Sequence, residues 1–425
     1  MRTLALFLFT TTALGACKWT DFDDLEAETW VTATEKPNKF STDWGVAIQR
    51  GAQAGATGGK LVVIGAVDAQ YTQLAYASDG SNELESGAFR LANKGVVSLE
   101  VQPLLLADPT TDEVTLIAGA GDNQVVALHG SGTLVERQVF GIEVADAAAY
   151  VLPPPRLDTA TQATIPVIAG GDEIYPAYLA EGVMLAAGTN FTPRCRLTDD
   201  LSQPIAIIGI AGTRIGAKTT DDLVVWTAAG DLLVYDGAYA NGSAPSGICD
   251  DLASNGPLLT SPKVATGFEP SRTSQVLRVD DTHVLLVGRK TTGDTAGLLA
   301  LYDVSTGTPT LVGGFNSTGG LRTAALLELP GAAGGTDRFI VAGYPNFVVD
   351  GTPAGKVEVF PLDLTTGIGT TAMTLHDAQP ESGQQFGRAV TAMPFNGEPV
   401  IAVAADNEVF VYFRTALYGE TRTGR

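Results

Sequence analysis

Few residues in this chain could do covalent or metal chemistry, and their positions limit what that chemistry is. There are 3 cysteines and 3 histidines in 425 residues. Cys195 and Cys249 stand apart from any histidine, which makes a poor zinc site, since zinc takes four protein ligands or three and a water. A disulfide suits them, provided the chain enters an oxidising compartment. The first residues point to export: "MRTLALFLFTTTALGAC" sets Arg2 before an apolar stretch from Leu4 to Leu14 and then small residues. That is the pattern of a secretory signal, too short for a permanent membrane span. A Cys195–Cys249 bridge would close a loop of about 54 residues and stabilise the fold by ~4 kcal/mol if unstrained.

The histidines His129, His283 and His376 are scattered, with no cysteine or acidic partner at ligand spacing, so neither a metal nor a general base is expected of them. The turn "GATGGK" (Gly55 to Lys60) fails as a phosphate loop because Leu61 stands where a magnesium-binding hydroxyl is required. No G-x-S-x-G elbow is present. Catalytic residues are therefore none by linear motif, and the expectation is a non-enzyme.

The bulk composition agrees with a chain of many short elements. Charged residues make up 17%, hydrophobic residues 45%, and glycine occurs 49 times, a balance of tight turns and short strands rather than long charged helices. All-β is expected. With 26 basic against 47 acidic residues the net charge is −21, and the scarcity of clustered Lys and Arg excludes a nucleic-acid partner. The dispersed acidity reads as a solvated surface.

Cys17 has a more specific setting. Leu14, Gly15, Ala16 and Cys17 resemble the lipobox of bacterial lipoproteins, in which cleavage precedes the cysteine and that residue carries the lipid. The resemblance implies a lipid bilayer as partner through acylated Cys17. Three acyl chains would hold firmly where one is marginal, at ~0.8 kcal/mol per buried methylene. Lys18 rather than Asp follows the cysteine, which implies the outer membrane, with the leaflet left open. From Trp19 to Lys36 an acidic segment reads as a tether, or alternatively as a docking peptide.

The elements that must carry all this repeat. Seven apolar bursts recur at a mean period of about 56 residues: Leu61–Ala66, Thr115–Ala120, Ile165–Gly171, Asp222–Trp226, His283–Gly288, Arg338–Gly343 and Val400–Ala404. Alternating strands follow most of them, as in "GDLLVYDG", "GLLALYDV", "GKVEVFPLD" and "NEVFVYF". Continuous apolar runs suit strands buried on both faces, and alternation suits strands with one wetter face. A four-stranded sheet cannot bury both faces alone, but seven arranged radially can. The prediction is a seven-bladed β-propeller of about four-stranded antiparallel blades, preceded by a signal peptide and a short tether.

"FGRAV" (Phe386 to Val390), "WGVAI" (Trp44 to Ile48) and the "GA" or "AG" ends of the bursts resemble the FG-GAP, or integrin-alpha-like, repeat family over roughly Asp43 to Arg414. The resemblance implies a toroidal propeller used for adhesion, ligand binding or scaffolding. Trp44, Gly45, Phe386 and Gly387 would be its blade-packing residues, an aromatic wedging between blades beside a glycine that allows close approach. The family's calcium loop is not matched: "DPTTDE" (Asp108 to Glu113), "KTTDD" (Lys218 to Asp222) and "PFNGEP" (Pro394 to Pro399) lack the alternating carboxylates that calcium takes. No cofactor and no metal are expected.

The resulting division is residues 1–16 as lipoprotein signal, 17–36 as lipidated cysteine and tether, 37–415 as propeller and 416–425 as a tail. Residues 28–35 have strand character and would complete the last blade, since open sheet edges are a liability that rings remove. "YVLPPPRLD" (Tyr150 to Asp158) is either a stiff loop or a polyproline recognition segment. The span Thr189 to Gly267 is the most elaborated, and the ligand face is expected on its side. The function expected is that of a monomeric outer-membrane-tethered binding or adhesion module for protein or carbohydrate. The alternatives are a periplasm-facing assembly scaffold and a hydrolase or lyase centred on the channel.

Overall fold

The computed structural model describes strands between residues 30 and 196, and strands, turns and side chains for most of residues 207–413. Every element described is a β-strand, and every strand pairing is antiparallel apart from one isolated parallel bridge. No helix among the described residues is long and apolar enough to cross a membrane.

The strands group into sheets in chain order. Sheet 1 holds Trp44–Arg50, Gly58–Gly65, Gln70–Ala77 and Glu85–Arg90. Sheet 2 holds Leu104–Ala107, Val114–Ala120, Gln124–Gly130 and Val135–Phe140. Sheet 3 holds Glu143–Leu152, Ala163–Gly171, Tyr178–Leu185 and Gly188–Arg196. Sheet 4 holds Ile207–Thr213, Asp222–Thr227, Leu232–Tyr235 and Leu259–Thr260. Sheet 5 holds Gln275–Arg278, His283–Arg289, Gly297–Asp303 and Thr310–Ser317.

Sheet 6 holds Thr323–Pro330, Thr336–Tyr344 and Lys356–Asp363, and its outer position is shared by two short pieces, Gly367–Ile368 and Met373–Leu375. A small hairpin, Val348–Val349 with Thr352–Pro353, projects from the connection between its second and third strands. Sheet 7 holds Ala389–Phe395, Glu398–Ala404 and Glu408–Phe413, and its fourth strand is Trp30–Glu35. That strand comes from the other end of the chain and runs antiparallel to Glu408–Phe413, with Trp30 opposite Phe413 and Glu35 opposite Glu408.

Each of the seven apolar bursts falls on the second strand of its sheet, the first of them through Gly65. Side-chain parity explains why those runs are continuous. In the second strand of sheet 5, Val284 and Leu286 pack with Val224, Trp226 and Val234 of sheet 4, whereas Leu285 and Val287 pack with Ile340, Ala342 and Phe360 of sheet 6. Sheet 6 repeats the arrangement, with Phe339, Val341, Val357 and Val359 turned to Val390, Ile401, Val403 and Phe410 of sheet 7. A strand covered on both faces has no position for a polar side chain, so the period of two disappears from its sequence.

Two of the third strands differ from expectation. Leu232–Tyr235 is buried at every position, and Gly297–Asp303 at all but the last, so neither has a wet face. Both lie one strand inward from the outer edge, and neighbouring sheets still cover them there. In sheet 6 the third strand is mixed, as its sequence suggests, with Lys356, Glu358 and Pro361 half-buried among buried apolar residues.

Candidate functional site

The sheets present two edges, and each carries one arrangement of interest. The first lies where the first and second strands of sheets 5 and 6 are joined. In sheet 5 the turn after Arg278 is wound around one carboxylate oxygen. Asp280 Oδ1 accepts hydrogen bonds from the Thr282 and His283 backbone N–H groups at 2.8 and 2.7 Å. The Thr282 hydroxyl reaches the same oxygen at 3.3 Å, and His283 Nδ1 lies 3.0 Å from it. Burial opposes the charge on Asp280, but these hydrogen bonds and the imidazole outweigh it and hold its pKa below the usual value. The His283–Asp280 pairing corrects the expectation that no histidine has an acidic partner at useful spacing. Its place in the turn assigns it to loop structure.

Sheet 6 supplies the opposite wall. Glu328 and Arg338 are directly opposed in register between its first and second strands, and Arg338 Nε donates to Glu328 Oε1 at 2.8 Å. They share a sheet face with Leu326 and Ile340, which pack into the core between sheets 5 and 6. The pair therefore caps that apolar seam where it reaches solvent. Between the walls lies a cleft of ≈ 610 Å³, lined by Arg278, Val279, Asp280, Asp281, Thr282, Glu328 and Arg338. Arg278 pairs with Asp281 at 2.5 Å on its rim. Through the Asp281 carbonyl, which accepts from the Arg214 N–H at 2.6 Å, the same turn is tied to sheet 4.

At the opposite edge, the segment leading into sheet 7 locks into sheet 6. Phe386 is fully buried between them, 5.1 Å from Phe410 and 6.4 Å from Tyr412, both in edge-on geometry. Its N–H donates to the Ala354 carbonyl at 2.7 Å, and Gly387 N–H donates to the Ala404 carbonyl at 3.1 Å. Gly387 adopts a φ of +88° and passes so close to sheet 6 that a β-carbon on it would stand 2.6 Å from the Lys356 carbonyl oxygen. Beside it, Lys356 Nζ bonds Glu358 at 2.7 Å and sits 3.6 Å from the Phe347 ring centroid. Burial, with Glu358 nearby, raises the Tyr344 pKa above its ordinary value.

Of the residues singled out in the sequence, Phe386 and Gly387 thus meet sheet 6. Trp44 and Gly45 begin the first strand of sheet 1, opposite Gly65 and Ile64. Cys195 lies in the last strand of sheet 3, opposite Leu179. Cys17, Cys249, the chain ends, the Trp19–Lys36 tether apart from Trp30–Glu35, and the calcium-loop turn "DPTTDE" lie outside the described residues. Among the described residues no group of three or more His, Cys, Asp or Glu is placed to hold a metal ion. The cleft residues were not legible in advance. Glu328 and Arg338 are ten positions apart in sequence and meet only through strand register, and Asp280 belongs to a different repeat.

The fold defined by these elements is all-β, built of antiparallel sheets in chain order. Among solved structures, that of BBS1N, a β-propeller crystallised in complex with ARL6DN and soaked with lead, is similar at a TM-score of 0.53 and 10% identity, covering 91% of this chain and 96% of that one. At that identity the likeness concerns the fold. No family model matches the chain, and no curated protein matches it.

Proposed function

We propose that the chain is a seven-bladed β-propeller, closed by Trp30–Glu35, that serves as a non-catalytic binding module tethered to the outer membrane through acylated Cys17. One observation carries the reading: a single sheet contains strands from both ends of the chain, Trp30–Glu35 beside Glu408–Phe413. Consecutive sheets 4 to 7 also share apolar cores face against face. Such stacking makes a rigid body whose exposed turns and edges are available for ligands, as propellers use them. The interlock of Phe386 and Gly387 with sheet 6 supports the FG-GAP-like reading, in which an aromatic and a glycine fit one blade to the next.

Strand Trp30–Glu35 begins thirteen residues after Cys17, so in this reading the anchor pulls directly on the closing strand. The ring would stand close to the membrane, with a short acidic leash between. The test is mass spectrometry of the mature protein from a bacterial envelope, combined with protease shaving of whole cells. The expected N-terminal peptide starts at Cys17 and carries acyl chains. A mature chain that starts elsewhere, or an unacylated Cys17, overturns the tethering. Efficient hydrolysis or elimination of an envelope polymer by the pure protein would overturn the non-catalytic reading.

A further inference from the structure

We propose that the cleft between sheets 5 and 6 is a sugar-binding site, taking a neutral, polyhydroxylated ligand such as one or two residues of an uncharged glycan. The inference rests on the reading of the chain as a binding module and names the ligand class and the place. It is carried by which polar atoms the protein uses for itself and which it leaves over.

The internal bonds of Asp280 all fall on Oδ1, so Oδ2 takes no part in them. Arg338 engages Glu328 through Nε alone, which leaves both terminal Nη groups outside that pair, and Glu328 uses only Oε1. Asp280 from one sheet and Glu328 and Arg338 from the next thus line one cleft, with two acceptor oxygens and a planar two-nitrogen donor outside these internal bonds. Each is already fixed by an internal bond, so little conformational freedom is lost when a ligand arrives. A guanidinium offers parallel N–H donors, and a carboxylate oxygen accepts from O–H. A vicinal diol supplies the complement to both, since each hydroxyl donates once and accepts twice.

The charge balance selects against other ligands. Arg278 and Arg338 face Asp280, Asp281 and Glu328, so the lining is close to neutral and both arginines already have carboxylate partners. An anion at either arginine would stand beside Asp280, Asp281 and Glu328, three carboxylates against two guanidinium groups, and a metal cation would meet both guanidinium groups. A neutral polyol needs neither exchange. The volume of ≈ 610 Å³ lies within the roughly 300–1,000 Å³ typical of small-ligand sites.

The experiment uses the soluble chain after Cys17 on an array of neutral and charged glycans, followed by titration calorimetry of the best neutral hit. The variants are Arg338→Met, which keeps the aliphatic stem, and Glu328→Gln, with thermal melts to check folding. The expected result is binding of neutral glycans, weakened at least tenfold in Arg338→Met and several-fold in Glu328→Gln, at an unchanged melting temperature. Binding restricted to charged glycans, no glycan binding, or neutral-glycan binding that Arg338→Met leaves intact overturns the proposal. Capture of an envelope protein on the same chain without glycan binding removes the sugar site and leaves the binding module standing. A lysine-rich peptide that binds and is lost in Glu328→Gln would likewise replace the sugar by a basic partner.

Discussion

The carbonyl oxygen of Gly387 lies 2.1 Å from the point where a β-carbon on Gly343 would be. Gly343 is the penultimate residue of the second strand of sheet 6, and Gly387 opens the approach to sheet 7, so two sheets touch through backbone at a place where neither carries a side chain. A methyl group there cannot be accommodated by a rotamer change, because the obstructing atom belongs to the main chain.

Gly343→Ala is therefore expected to destabilise the protein by about 2 kcal/mol or more, in the range of overpacked interiors. Gly314→Ala is the control, since its added carbon would meet its nearest neighbour at an ordinary 3.6 Å. Urea denaturation of the two variants should show a large fall in midpoint for the first and a small change for the second. Equal effects would mean that the contact between sheets 6 and 7 is loose.

Phe386 fills the apolar space on the same seam. Its replacement by alanine should cost about 3–5 kcal/mol, and by leucine distinctly less, because leucine retains most of the volume but loses the edge-on contacts with Phe410 and Tyr412. Thermal melts and urea midpoints read the difference. A Phe386→Ala variant as stable as the parent would contradict the wedge.

The Asp280 turn predicts a pH dependence. A carboxyl whose folded pKa is depressed adds stability that is fully present above its unfolded pKa and is lost as pH falls through the folded value. Stability should therefore decline below about pH 4, the ordinary aspartate range, and the decline should be shallower in Asp280→Asn. The measurement is the drop in melting temperature from pH 7 to pH 3 in each protein. Exposed Asp363, whose pKa is lowered by hydrogen bonds from Thr366 and Thr365, acts in the same direction and remains in both, so the comparison isolates Asp280. Identical drops would show that the Asp280 bonds are not held in solution.

The fold was far more legible than the site. Burial on both faces writes itself into sequence as uninterrupted apolar runs, and the second strand of sheet 5, "HVLLVGR", shows it: alternate residues serve two different cores. Phe386 and Gly387 stand out in the sequence as an aromatic beside a glycine, and both contact sheet 6, where contact between sheets demands a particular size at a particular place. The cleft does not stand out. Its carboxylates and arginines are ordinary polar residues at strand ends, and what makes them a group is the register that sets Glu328 against Arg338 and the packing that brings Asp280 across from sheet 5. The third strands of sheets 4 and 5 misled for a related reason: "GDLLVYDG" reads as alternating, yet its apolar centre is buried at every position, whereas "GKVEVFPLD" in sheet 6 keeps its alternation.

The central claim is that the two ends of the chain close one ring, and the register of the closing strand allows a direct measurement. Thr32 is opposite Val411. In the chain after Cys17, with Cys195 and Cys249 replaced by serine, Thr32→Cys with Val411→Cys should form an intramolecular disulfide under mild oxidation, while Thr32→Cys with Ser305→Cys should not. Monomeric protein cross-linked in the first pair alone is the result expected. Equal cross-linking of both pairs, or links only between separate molecules, would contradict a closed ring.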